Sequence, residues 1–245
     1  MSDGAIRRLR FASGLVLFAY ILSHLINHSL GIISLDHAEA GLRLAVRVWH
    51  SLPGTVVLYG AAAVHFMLAL RTLALRRHWR LPLIEVVRLA SGLSLPLLLI
   101  GHVMATRMTQ VLFDIPQSYG RTVANLAAAG AEGWQLALLA PGWVHGCLGL
   151  WITLRRQAWA RRFRHGLVAA VIALPALAAF GFHRMVAEAT ALMPAGMPTS
   201  PDQRVVLAAW QSTMVRGYIV LILVAIIGGQ IYQRFVAPPE RPGAS

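Results

Sequence analysis

The stretch Ser13-Gly14-Leu15-Val16-Leu17-Phe18-Ala19-Tyr20-Ile21-Leu22-Ser23-His24 is answered further along by Ser91-Gly92-Leu93-Ser94-Leu95-Pro96-Leu97-Leu98-Leu99-Ile100-Gly101-His102. Both open on Ser-Gly-Leu, stay almost wholly apolar, and reach a histidine eleven positions after the serine. Each is followed by another apolar segment with a histidine inside it, at Val64-His65 and at Val144-His145. The four histidines therefore form two symmetric pairs. An unbonded imidazole in hydrocarbon is costly, so ionisable residues placed this way are candidates for function before any other residue is considered.

Composition sets the environment. A chain of 245 residues that is 57% hydrophobic and 13% charged cannot hide its apolar surface in one soluble core. Its apolar runs reach the ~20 residues a helix needs to cross a bilayer. The net charge of +13 comes from 22 basic residues, all of them arginine. They cluster between apolar segments as membrane topology demands, which argues against nucleic acid as a partner and for a lipid bilayer. The single cysteine, Cys147, rules out an internal disulfide and a cysteine-ligated iron-sulfur cluster, and inside a span it is most simply a small packing residue.

Six spans are expected, over 11–33, 52–75, 83–106, 135–154, 166–187 and 212–234. All should be helical, because lipid leaves each segment to satisfy its own backbone groups. Arg7, Arg8 and Arg10 precede the first span, Arg71, Arg76, Arg77, Arg80 and Arg88 flank the second connection, and Arg155, Arg156, Arg161, Arg162 and Arg164 the fourth. The expectation is a multi-pass protein of the inner, cytoplasmic membrane with both termini cytoplasmic. The remaining connections carry Asp36, Glu39, Asp114, Glu132, Glu188 and Asp202. Arginines ahead of the first apolar run mimic a signal peptide, but no small-residue cleavage site follows, so that segment should be retained. Residues 1–236 read as one membrane domain and 237–245, with Pro238, Pro239 and Pro242, as a flexible cytoplasmic tail.

The chemistry follows from depth. His24 and His102 each lie fourteen residues beyond an arginine, Arg10 and Arg88, or roughly 21 Å at 1.5 Å per residue. His65 and His145 lie eleven and ten residues from Arg76 and Arg155, or roughly 16 and 15 Å. In an up-down bundle the first and third spans are diagonal partners, as are the second and fourth, so each level pair faces across the core. The expected fold is all-α: a four-helix, haem-binding bundle with two further helices, in which haem iron is the partner paired histidines meet most often. Gly14, Gly60, Gly92, Gly142, Gly146 and Gly149 suit either a flat ligand or close helix packing. His28, one turn beyond His24, is an alternative ligand or, with Asn27, a partner for a quinone carbonyl. His183 has no repeat partner and reads as a hydrogen bond to a neighbouring helix, while Arg107 and Arg216 either snorkel to water or pair with haem propionates.

The pattern of His24, Asn27-His28-Ser29-Leu30-Gly31, His65, His102 with Thr106-Arg107, and Trp143-Val144-His145-Gly146 resembles the membrane cytochrome b subunits of the succinate dehydrogenase and fumarate reductase superfamily. It resembles still more the six-helix membrane anchors found ahead of some bacterial class III adenylate cyclases. The resemblance implies one or two b-type haems held by His24, His65, His102 and His145, with His28 and Arg107 beside them and quinone or quinol as redox partner. In the fumarate reductase pattern the ligands fall on the first, second, fourth and fifth of five helices, whereas the repeat here favours the first four of six. Three functions follow as expectations. The first is an electron carrier between quinol and a partner subunit of an oxidoreductase. The second is a haem- or quinone-sensing anchor for an adenylate cyclase domain attached to the chain or acting in trans. The third is a transporter or structural module without haem. No catalytic domain is expected within these residues.

Overall fold

The computed structural model describes residues 2–193 and 199–235, and among them every regular element is helical. In chain order these are α1 (Asp3–Leu30), α2 (Leu35–Trp49), α3 (Leu52–Ala74), α4 (Leu83–Val103), a π-helical turn (Met104–Met108), α5 (Thr109–Phe113), α6 (Tyr119–Ala128), α7 (Glu132–Leu154), α8 (Ala158–Arg162), α9 (Arg164–Leu192) and α10 (Pro201–Phe235). The tail 237–245 lies outside the described residues.

Six helices are long and apolar enough to cross a membrane: α1, α3, the continuous rod Leu83–Phe113, α7, α9 and α10. The chain is thus an all-α, multi-pass membrane protein, and side chains such as Val56, Ile172, Phe180, Val224 and Ile227 stand exposed on its outside, as lipid contact requires. α1 and α10 begin well before the expected spans and the third helical rod runs past its expected end, whereas α1 stops at Leu30 and α3 at Ala74, short of the expected bounds. At the start of α1, Ser2 Oγ accepts from the Ala5 amide at 3.3 Å. Before α10, the Gln203 amide donates to Ser200 Oγ at 3.2 Å while Gln203 Oε1 accepts from the Ser200 amide at 2.9 Å. Such reciprocal capping satisfies orphan amides and lets polar turns stay helical beyond the hydrocarbon.

α1 packs along α3 and α4 along α7, with α1 also touching α7, and these four helices carry the repeat histidines. α9 buttresses α1 and α7, and α10 lies against α3 and α4. A Cβ on Gly181 of α9 would run into the His28 carbonyl, and one on Gly31 would come within 2.6 Å of Met185. Small residues let these two backbones meet, the usual basis of helix association in lipid. Pro175 inside α9 cannot donate to the Val171 carbonyl, and the Trp143 indole takes that acceptor at 2.8 Å.

Two of the connections between spans contain helices of their own, α2 and α6. Leu35, Ala38 and Leu42 line one face of α2, and Tyr119, Val123, Leu126 and Ala127 one face of α6. Both faces close on Phe182, Met185, Val186 and Ala189 of α9, forming a cap at the end of the bundle away from the arginine clusters. Glu39 Oε2 accepts from the Tyr119 amide at 2.7 Å and the Gly120 amide at 3.3 Å, so its carboxylate sits on the N-terminus of α6. Glu188 Oε1 accepts from the Leu35 amide at 3.4 Å and does the same for α2. Two of these acids, Glu39 and Glu188, thus serve as helix caps.

Candidate functional site

Two histidine pairs lie inside the four-helix core, one nearer the arginine end and one nearer the capped end. The arginine-side pair is His65 of α3 and His145 of α7, with ring centres 6.1 Å apart and planes at 86°. His145 Nδ1–H donates to the Arg88 carbonyl at 2.9 Å. A carbonyl only accepts, so the proton is on Nδ1 and the Nε2 lone pair is free. Ser13 Oγ donates to the Arg10 carbonyl at 3.1 Å and lies 3.2 Å from His65 Nδ1, which places the His65 proton on Nδ1 as well. A Cβ on Gly14 would stand 3.2 Å from His65 Cε1, and one on Gly92 would stand 2.6 Å from His145 Cε1.

The repeat therefore has a use that its spacing alone does not reveal. Ser13-Gly14 on α1 seats the histidine of α3, and the turn Arg88 to Gly92 on α4 seats the histidine of α7. In both copies the glycine meets a histidine of a neighbouring helix, but only Ser13 bonds that histidine; Ser91 bonds the Val87 and Arg88 carbonyls of its own helix.

The cap-side pair is His24 of α1 and His102 of α4, with ring centres 5.8 Å apart and planes at 83°. His102 Nδ1–H donates to Gln135 Oε1 of α7 at 2.8 Å, again leaving Nε2 free. His102 is followed by the π-helical turn, whose loosened carbonyls find Thr109 Oγ1 on Met104 at 2.8 Å and Gln117 Nε2 on Thr106 at 2.9 Å. His24 stacks on Tyr20 at 6.0 Å. Among the described residues its one hydrogen bond runs from Nε2 to His28 Nε2, at 3.1 Å. His28 Nδ1 in turn pairs with the Tyr119 hydroxyl at 2.7 Å, and the edge of Phe182 closes over the ring at 5.7 Å. Burial of Tyr119 in the cap pushes its phenol above the ordinary value, keeping it a neutral hydrogen-bonding group.

Other expected residues fall elsewhere. Arg107 Nη1 donates to His50 Nδ1 at 2.8 Å and to Gln110 Oε1 at 2.9 Å. Burial and the Arg107 guanidinium hold His50 below the ordinary histidine range, against a smaller opposing effect of Gln110. Arg216 bonds back to Ser212 of its own helix, and His183 is exposed and, among the described residues, makes no hydrogen bond to a neighbouring helix. Gly142 and Gly146 admit Leu95 and Phe18 and so serve packing, whereas a Cβ on Gly60 or Gly149 would meet nothing within 4 Å. Cys147 packs with Leu25, Trp143 and Ala178. Sequence reasoning missed Ser13, Gln135 and Tyr119 as anchors, and only Ser13 carried a signal, through the repeat.

Among the described residues no cluster of three or more His, Cys, Asp or Glu side chains is placed to hold a metal ion. The histidine donors come as the pair His65 and His145 and as the group His24, His28 and His102. No protein-family model, no curated protein and no solved structure matches this chain, so the site is read from its geometry.

Proposed function

We propose that this chain is a b-type haem-binding membrane protein that carries electrons to or from quinone. The observation that supports the reading is the facing of imidazoles 6.1 Å and 5.8 Å apart with anchored Nδ1 atoms on His65, His145 and His102. A metal–imidazole bond is about 2 Å long, so two rings on opposite sides of one iron have centres roughly 6 Å apart. Two donors alone hold a bare ion poorly, but they complete the coordination of a metal whose other four positions belong to a macrocycle. Gly14 and Gly92, where a Cβ would crowd the rings of His65 and His145, leave room for the two imidazoles to take these positions.

His65 and His145 would hold one haem, and His102 with His24 a second where both fit. Haem, when bound, supplies reversible one-electron chemistry. Ser13 and the Arg88 carbonyl keep the His65 and His145 rings in the tautomer that presents Nε2, and Gln135 does so for His102. The resemblance to succinate dehydrogenase and fumarate reductase membrane subunits supports quinone as the partner. A sensory reading is favoured by one observation: α10 packs on both α3 and α4, so it would feel a shift of either histidine helix. The arginine clusters support an orientation in the inner membrane with that end cytoplasmic.

Purified protein should give a pyridine haemochrome of b type and a reduced-minus-oxidised spectrum with paired-imidazole bands. Colourless protein after expression with ample haem overturns the reading. A reporter fused after Gln233 should behave as cytoplasmic, and a periplasmic result overturns the orientation.

A further inference from the structure

His24 and His28 are one turn apart on the same face of α1, their rings meet edge to face with centres 4.6 Å apart, and their Nε2 atoms converge to 3.1 Å. Side chains on a helix lean toward its N-terminus, which carries His28 back over the turn that holds His24. Three of the four repeat histidines share one arrangement, with Nδ1 bonded to a fixed oxygen and Nε2 left over. His28 shares the Nδ1 anchor, through the Tyr119 hydroxyl at 2.7 Å, with its Nε2 turned to His24 at 3.1 Å, and His24 has no Nδ1 anchor. After α4 the corresponding position is Thr106, in the π-helical turn, whose hydroxyl donates to the His102 carbonyl at 2.7 Å, so no second histidine accompanies His102 there.

We propose that the cap-side haem position has three histidine donors for two axial places: His102 on one side, and on the other His24 or His28, which exchange without loss of the haem. This rests on the haem reading above. In the exchange the bond from iron to His24 Nε2 breaks and one to His28 Nε2 forms, with no change in iron oxidation state. Both rings stay neutral: the ligating ring would carry its one proton on Nδ1 and the released ring keeps its own, so no proton enters or leaves the pair. Tyr119 holds His28 ready and ties that choice to the packing of α6 in the cap.

The test uses the full chain loaded with haem, comparing His24→Ala, His28→Ala, the double variant and His102→Ala. Haem content is read by pyridine haemochrome and spin state by electron paramagnetic resonance of the oxidised protein, before and after added imidazole. Both single variants should retain the full haem content and stay low-spin without imidazole. The double variant should lose about half the haem, or turn high-spin at one site until imidazole restores it. A His24→Ala protein that is high-spin, or that loses as much haem as His102→Ala, overturns the proposal, as does a double variant that stays low-spin and full. Should His24→Ala fail to accumulate, His24→Gln carries the same test. A haem-free wild type overturns the haem reading and this proposal together, whereas high-spin His24→Ala in a haem-loaded protein overturns this proposal alone.

Discussion

The two histidine pairs are built from the same repeat but finished differently. At the arginine end each ring is seated by the helix beside it, and the two seats are near copies: a serine or a carbonyl at Nδ1 and a glycine against the ring. At the capped end the symmetry breaks. His102 keeps a single fixed partner in Gln135, while His24 shares its donor atom with His28 and, through it, with Tyr119. The difference teaches that duplicated spacing produces duplicated ring positions, whereas ring chemistry is set by whatever packs next to each copy. Here that is a bare helix at one end and an added amphipathic layer at the other.

The sharpest way to break the comparison is to remove one ring from each pair. His65→Ala and His145→Ala should each abolish the same haem signal, about half the total if both sites fill, while His102→Ala removes the other. Low-temperature reduced-minus-oxidised spectra decide the grouping, and joint loss of the signals of His65 and His102 would show that the pairs are not independent. Next in size is Gln135→Leu, which strips the Nδ1 acceptor from His102. Loss of a partner that orients a ligand typically costs about 10–100-fold in metal affinity, so haem should wash out of the cap-side site in a titration against apomyoglobin. Equal retention at both sites would mean that Gln135 does not orient the ring.

Gly92→Ala probes the arginine-side seat. Its Cβ would stand 2.6 Å from His145 Cε1, and the ring escapes only by leaving the Arg88 carbonyl. A cost of about 1–3 kcal/mol is expected for such overpacking, read as a lowered melting temperature with a shifted arginine-side haem band. Gly14→Ala, with 3.2 Å to His65, should cost less, and the reverse order would contradict the seating described. The smallest effect concerns His50. Its folded pKa lies below the unfolded value of about 6.5. The unfolded chain therefore takes up a proton that the folded chain refuses, and stability falls as pH drops through and below about 6.5. His50→Gln should flatten that part of a melting-temperature profile, and an unchanged slope would remove His50 from the account.

Much of the fold was legible because hydropathy acts along one segment at a time. The six spans, the absence of strands among the described residues and the helices that carry His24, His65, His102 and His145 all follow from apolar length and backbone satisfaction in lipid. α2 and α6 were harder to see. Their apolar residues recur with helical period, at Leu35, Ala38 and Leu42 and at Tyr119, Val123 and Leu126, but the runs are short and rich in polar residues, and they become stable faces only against α9.

From the sequence alone came the membrane, the six spans, the duplicated segment and the level at which each histidine sits, because each depends only on the order of residues along a helix of known rise. Tertiary structure alone decided that Ser13-Gly14 serves His65, that Gln135 holds His102, that Arg107 turns to His50, and that His28 meets both His24 and Tyr119. Those assignments are hydrogen bonds a few ångströms long between different helices. They depend on the rotation and offset of each helix against its neighbours, which side-chain packing sets and one-dimensional spacing does not carry.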